Sequence, residues 1–360
     1  MTESSKPWII LEPYYGGSHR SLVDGLRMNL GLDLKLWTLP PRKWKWRMRG
    51  AAPVFAERWH REDPKVAGIF TSSLLNVAEL RGLLPPEARH LPITLYFHEN
   101  QLNYPVRVDD FRDYHYGWIN ILSALAADRL LWNSEYNRDS FFSALPNFIS
   151  KMPDHRPAGV IEKLVAKSQV LPVPIAMAQL NRAEQNKACR ILWNHRWEHD
   201  KGPEEFFHAL MKLQDEGLEF ELSVLGQKFS DVPKIFSEAK EVLAAKIHRW
   251  GYVESVEEYR AELGRADLVV STAEHEFQGL SVLEAAAEGA RPLLPDALAY
   301  PEIWPSDFLY EPGRLRNALR ECIKSWPWAA DTRPRDIALA YSWNSLTPAW
   351  RLEFTDPPKT

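Results

Sequence analysis

Short apolar runs alternate with helix-forming stretches through most of this chain, and the alternation begins twice. The first series of runs lies at residues 7–12, 34–39, 67–73, 92–97 and 129–134. Helical patterns fall at 21–30, 116–127 and 137–145. The second series lies at 190–194, 220–226, 247–252, 266–271 and 291–295, with helical stretches from Pro203, over 256–263 and from Ser281. Runs this short read as buried strands, and strands joined through helical crossovers pair in parallel. Residues 170–175 carry two prolines, Pro172 and Pro174, and suit a connector between the two series. A chain of 360 residues is also long for one core. The expected organisation is a domain over 1–172, a second over 173–325, and a tail over 326–360. Tryptophans 326, 328, 343 and 350 suggest that a terminal helix in this tail packs back on the body.

The stretch from His275 to Gly289 holds the strongest chemical signal. It follows a strand-like run, contains Gly279, and continues into Ser-Val-Leu-Glu-Ala-Ala-Ala, which is rich in good helix formers. Strand, glycine loop and helix start together present free N–H groups to an anion. Glu276 and Glu284 flank the loop with seven residues between them. Phosphates on the helix end and hydroxyls on the carboxylates would suit a nucleotide. Ser281 and Glu284 also fit the capping box S-x-x-E, in which Glu284 merely bonds backbone, and the sequence leaves both readings open. Glu276 lies outside that box.

Three other loops follow strand-like runs. Gly16 and Gly17 stand in Tyr15-Gly-Gly-Ser-His19, a strand–glycine–helix layout without G-x-G-x-x-G spacing. His98-Glu99-Asn100-Gln101 opens a polar and aromatic stretch ending at Pro105; Leu102 stands where a zinc-protease H-E-x-x-H would need its second histidine. Arg196 and Lys201 sit in the loop before Pro203, where two cations near a helix start can hold a diphosphate. Ligands of open parallel sheets gather at such carboxyl ends of strands.

Charge is uneven. The net value is −4, yet residues 1–175 hold 22 Lys+Arg against 18 Asp+Glu, while 176–360 hold 22 against 30. Residues 42–49 concentrate cations and indoles: Arg42, Lys43, Trp44, Lys45, Trp46, Arg47 and Arg49. Read as a loop, this segment offers cations to phosphates and indoles to bases. Two cysteines without metal-like spacing point to a reducing compartment. No signal-peptide pattern and no bilayer-length apolar run stand in the sequence, so a cytoplasmic protein is expected.

The second half resembles retaining GT-B glycosyltransferases of the large family 4 group, through Arg196, Lys201-Gly202, the Gly279 loop and the Glu276–Glu284 pair. The first half resembles the tRNA-queuosine alpha-mannosyltransferase family. The residues carrying that likeness are Tyr15-Gly-Gly-Ser-His19, the segment 39–47, the segment 96–106 and Pro153-Asp-His-Arg-Pro157. The resemblance implies an α/β GT-B fold of two Rossmann-like domains facing a cleft. It implies GDP-mannose as donor, no metal or other cofactor, and queuosine at the wobble position of tRNA-Asp as acceptor. It places Glu276, His98 and Glu99 at the reacting sugar, with Arg196, Lys201, Gly16, Gly17, Gly279, Leu280 and Ser281 at the diphosphate. Glu284 and the backbone near Val253 would take the ribose and base. Lys43 to Arg47, Arg49, His19, Asn100 and Gln101 would face the acceptor. Oligomeric state is open. Other acceptors, either a different modified nucleoside or a lipid or polysaccharide, and a sugar-nucleotide epimerase on the same scaffold, are the alternatives.

Overall fold

The computed structural model describes residues 6–103, 113–177, 186–228 and 231–356. The expectations attached to residues 104–106 lie outside the described residues. The chain divides into two compact units, Met1–Pro174 with Leu346–Thr360, and Ile175–Ser345.

Unit 1 runs β1 (Trp8–Glu12), α1 (Gly17–Asn29), β2 (Leu34–Thr38), α2 (Trp44–Glu62), β3 (Gly68–Ser72), α3 (Val77–Leu83), β4 (Ile93–Phe97), α4 (Tyr114–Ala126), β5 (Arg129–Trp132), α5 (Glu135–Ser150), α6 (Val160–Val165) and β6 (Ser168–Val170). Unit 2 runs β7 (Cys189–Trp193), α7 (Pro203–Asp215), β8 (Phe220–Leu225), α8 (Ile235–Val242), β9 (Ile247–Gly251), α9 (Val256–Gly264), β10 (Leu268–Val270), α10 (Leu280–Ala287), β11 (Arg291–Pro295), α11 (Tyr300–Ile303), β12 (Leu309–Tyr310), α12 (Leu315–Ser325) and α13 (Arg333–Ala340). The last helix, α14 (Trp343–Thr355), carries the chain back to unit 1.

Both sheets are parallel, with orders β2-β1-β3-β4-β5-β6 and β12-β11-β10-β7-β8-β9. β1, β3, β4 and β7 are buried at every position, as strands covered on both faces must be. Strand order reverses between β1 and β3 in unit 1, and between β7 and β10 in unit 2. Those switch points open crevices at the strands' carboxyl ends. The loops after β1 and β4 and those after β7 and β10 are the ones singled out from sequence.

The segment 42–49 is not a loop. It forms the first turns of α2, with Lys43 as the left-handed residue just before it (φ 55°). Met48, Ala51, Ala52, Phe55, Ala56 and Trp59 are all buried on one side of that helix. Their three- and four-residue spacing is an amphipathic signal. Two features masked it: Lys43 is not a capping residue type, and Pro53 sits inside the helix. Other bounds shifted less; α1 starts at Gly17 rather than Ser21, which puts His19 on a helix.

The terminal helix packs on unit 1. Trp350 is fully buried and donates its indole N–H to the Pro172 carbonyl at 3.1 Å. Phe354 packs edge-on against Trp8 and beside Phe70. Glu353, 3 % exposed, is paired with Arg129 at 2.7 Å.

Candidate active site

In unit 2, the loops after β7 and β10 are tied to each other. The Asp200 carbonyl accepts from the N–H groups of Glu274 (2.9 Å) and His275 (3.3 Å), and Thr272 Oγ1 donates to the Lys201 carbonyl (2.9 Å). Gly202 makes this approach possible. It is left-handed (φ 59°), and a Cβ there would lie 2.2 Å from the Thr272 carbonyl oxygen.

This scaffold buries Lys201. Its Nζ donates to the His275 carbonyl at 2.6 Å and lies 3.2 Å from Glu276 Oε2 and 3.4 Å from Asp200 Oδ2. Glu276 Oε1 accepts from the Phe277 and Gln278 N–H groups. Burial alone would raise the Glu276 carboxyl, but the Lys201 charge, His195 and a backbone N–H more than offset it and bring it down to about 2. The carboxylate is therefore fixed, charged and still has lone pairs for further hydrogen-bond donors. Arg196 differs: it is half-exposed, 2.7 Å from Glu198 and 3.8 Å from the same Asp200 that flanks Lys201. Asp200 thus holds both cations in one locus.

Helix α10 follows directly on Gly279, left-handed at φ 77°, where a Cβ would lie 2.9 Å from the Tyr300 ring. The N–H groups of Leu280 and Ser281 stand in its first turn, where no intrahelical acceptor exists. The capping box is not formed. Glu284 Oε2 accepts from the Tyr259 hydroxyl of α9 at 3.0 Å, and Asn194 donates to that hydroxyl (3.2 Å) and to the Ser281 carbonyl (2.8 Å). Burial raises the Glu284 carboxyl, with Tyr259 opposing. His195 is buried 3.4 Å from Ser281 Oγ; burial, then the Lys201 charge, lowers it to about 4, so the ring is neutral at pH 7. Val253 is buried in the core beside α9 and α10, leaving only its backbone for a ligand. Asn194, His195 and Tyr259 were not singled out as ligand residues; the polar pair Asn194-His195 directly after the apolar run 191–193 was the available signal.

Unit 1 assembles a second polar centre from β1, α1, β3 and β4. Glu12, the last residue of β1, is 1 % exposed. Its Oε1 accepts from the Tyr14 N–H (2.8 Å) and Ser72 Oγ (3.0 Å) and lies 3.1 Å from His19 Nδ1. On the other side His19 Nε2 is 3.7 Å from Glu99 Oε2. Burial would favour the neutral imidazole, but the two carboxylates push His19 up to about 10, so it stays a cation at neutral pH. His98 stacks on it with ring centroids 3.9 Å apart, and burial plus the His19 charge hold His98 well below the usual histidine range. His98 is therefore a neutral ring, and its buried Nδ1 has no hydrogen-bond partner among the described residues. Glu12 escaped the sequence reading, although a glutamate ending an otherwise apolar strand marked it.

Among the expected acceptor residues, Asn100 needs correction. It is wholly buried and its amide is spent internally: Nδ2 donates to Asn137 Oδ1 (2.9 Å) and Ser140 Oγ (3.2 Å), and Oδ1 accepts from Leu102 and Asn103 N–H groups. It shapes the loop after β4 and has no free edge for a ligand. Gln101 is anchored through its N–H to Asn120 Oδ1 at 2.8 Å, leaving its partly exposed side chain outward. Gly16 is extended (φ −165°) and needed for space, since a Cβ would lie 2.5 Å from Pro41; Gly17 supplies the left-handed turn. Trp44 turns inward toward Tyr116 (5.2 Å), whereas Trp46 is 71 % exposed. Among the described residues, no group of three or more His, Cys, Asp or Glu is placed to hold a metal ion, and no helix is long and apolar enough to cross a membrane.

Residues 8–175 match the family model described as tRNA-queuosine alpha-mannosyltransferase N-terminal. A tRNA-queuosine alpha-mannosyltransferase of Drosophila melanogaster is 40 % identical over 320 residues, covering 85 % of this chain and 84 % of the relative. Among solved structures, sucrose-phosphate synthase from Thermosynechococcus elongatus superposes with a TM-score of 0.75 at 15 % identity, over 98 % of this chain and 99 % of that one. HepE from Anabaena, in complex with UDP, gives 0.69 at 12 % identity, over 97 % and 100 %. These two share the fold, the expected GT-B architecture. With this fold and a 40 % identical relative matched over most of its length, the chain belongs to the tRNA-queuosine alpha-mannosyltransferase family.

Proposed function

We propose that this chain transfers mannose from GDP-mannose to the cyclopentene-diol of queuosine at the wobble position of tRNA-Asp, with retention at the anomeric carbon. Family membership supplies the reaction. The structural observation that carries it is the buried Lys201–Glu276 pair at the carboxyl ends of β7 and β10, beside the start of α10.

The main barrier is charge separation between an oxocarbenium-like sugar and a departing diphosphate. Lys201, Arg196 and the Leu280 and Ser281 N–H groups offer preorganised positive charge to that diphosphate. Glu276 fixes sugar hydroxyls. Glu284, held by Tyr259, accepts from the ribose hydroxyls, and the Val253 backbone meets the base. In unit 1, His98 and Glu99 are the residues assigned to the reacting sugar, and Gly16 and Gly17 those assigned to phosphate. Burial and the neighbouring His19 cation keep His98 neutral, which suits hydrogen bonding rather than proton storage. Two carboxylates about 5–5.5 Å apart would mark a retaining glycosidase; here no carboxylate is assigned as nucleophile, and a leaving phosphate oxygen helps take the acceptor proton. Protein cations carry the leaving-group charge, so transfer proceeds without a metal ion and survives chelation. The reaction is assigned to the cytoplasm, with unit 1 taking tRNA and unit 2 the donor.

The test is incubation with radiolabelled GDP-mannose and total tRNA from a queuosine-containing and a queuosine-lacking strain, with and without EDTA. Label only in queuosine-containing tRNA, unchanged by EDTA, supports the assignment. Label in both pools replaces the acceptor, and activity abolished by EDTA and restored by magnesium replaces the metal-free mechanism.

A further inference from the structure

The basic tryptophan segment continues, in three dimensions, onto parts of unit 1 far away in sequence. Lys45 and Arg49 stand one turn apart on α2, and both lie over the Tyr116 ring of α4, at 5.8 and 5.1 Å from its centroid. Arg49 also pairs at 3.2 Å with Asp113, the residue capping α4. The next residue, Tyr114, is 40 % exposed, rests edge-on against Phe148 of α5, and has the Lys151 ammonium 5.4 Å from its ring centroid. Lys151 follows directly on the end of α5. The exposed ring of Tyr114 is thus joined to Lys45 and Arg49 through a continuous run of contacts, and the exposed Trp46 follows Lys45 in the same turn of α2.

We propose that the starts of α2 and α4 and the end of α5 form one face that binds the unpaired loop of an RNA, with bases stacked on Trp46 and Tyr114 and phosphates on Lys45 and Lys151. This rests on the tRNA reading above and extends it to residues that the sequence pattern did not single out. A single exposed aromatic needs no explanation. Two of them, each beside a cation, have the composition of a stacking platform on a phosphate track. Asp113 is already matched by Arg49, while Arg42, Lys43, Lys45 and Lys151 are exposed, so the face is cationic. The chain from 176 onward holds 30 acidic against 22 basic residues, and repulsion there leaves unit 1 as the favourable landing side for a polyanion. RNA loops are read through splayed bases on aromatic planes, which distinguishes this occupant from a double helix.

The experiment uses the full chain with Tyr114→Ala and Lys151→Ala. Affinity for an anticodon stem–loop RNA is measured across a salt series, alongside KM for tRNA and calorimetric binding of GDP-mannose. Tyr114→Ala is expected to weaken RNA binding about tenfold, the loss of one stack. Lys151→Ala, a change at an exposed position, should lower the slope of log K against log salt by about 0.7. In both, KM for tRNA rises while GDP-mannose affinity stays. Wild-type RNA affinity and salt slope in both variants would overturn the face while leaving the transferase assignment standing. Weakened RNA binding in the variants of a protein that transfers no mannose would support the face and overturn the transferase assignment.

Discussion

Replacing Lys201 by methionine keeps a buried stem and deletes the charge that sits between the loops after β7 and β10. Three groups lose one of their partners: the His275 carbonyl at 2.6 Å, Glu276 at 3.2 Å and Asp200 at 3.4 Å. Burial favours protonation of Glu276, and Lys201, with His195, is what brings that carboxyl to about 2 against its ordinary 4.5. The difference corresponds to about 3 kcal/mol. A folded value below the unfolded one means the contribution is fully present above pH 4.5 and is lost as pH falls toward 2. In Lys201→Met the carboxyl rises instead, and the folded state at pH 7 loses about 3–5 kcal/mol, the usual result of leaving a buried charge alone. Urea unfolding at pH 7 and pH 5, with calorimetric titration of GDP-mannose, reads both effects. The loss should be smaller at pH 5, where protonation of Glu276 relieves it. A companion variant, Lys201→Met with Glu276→Gln, removes both charges and should recover much of the stability while staying inactive, because coupled partners are not additive. A single variant with the wild-type unfolding midpoint at pH 7, or one that binds donor normally, would refute this reasoning.

Two further changes probe the scaffold. Gly202→Ala places a Cβ 2.2 Å from the Thr272 carbonyl in a left-handed residue, and should cost at least about 2 kcal/mol in urea unfolding with donor binding weakened in parallel; a neutral change would mean the two loops are not held together there. Glu12→Gln tests the His19 clamp. With His19 raised to about 10, its contribution to stability is full below 6.5 and is lost as pH rises through 10, so wild type should weaken across that window. The variant should lose most of that pH dependence, and its His19 resonance should titrate nearer 6.5 by NMR; an unchanged profile would show that Glu12 does not govern His19.

How much was legible follows from how local each signal is. Apolar runs ended by polar loops fix a strand's carboxyl end within a few residues, so Gly279, Glu276, Lys201 and His98 could be found one loop at a time. Helix α2 was locally encoded as well, in Met48 to Trp59, but Pro53 and an uncapped start hid it behind a conspicuous run of cations. Ser281 and Glu284 show the opposite hazard. Their spacing satisfies a local rule, yet the tyrosine of α9 takes the carboxylate instead.

By itself, then, the order of residues determined two parallel α/β units and the loops where ligands gather, because strand length, crossover and glycine turns are settled by near neighbours. The charge states of the site were decided only by tertiary structure. Glu12, His19, His98 and Glu99 come from three separate elements, and Lys201 meets Glu276 across 75 residues. Burial penalises each charge alone and partners at 3–4 Å restore it. Which histidine is a cation and which is neutral is therefore a property of packing that no local sequence pattern carries.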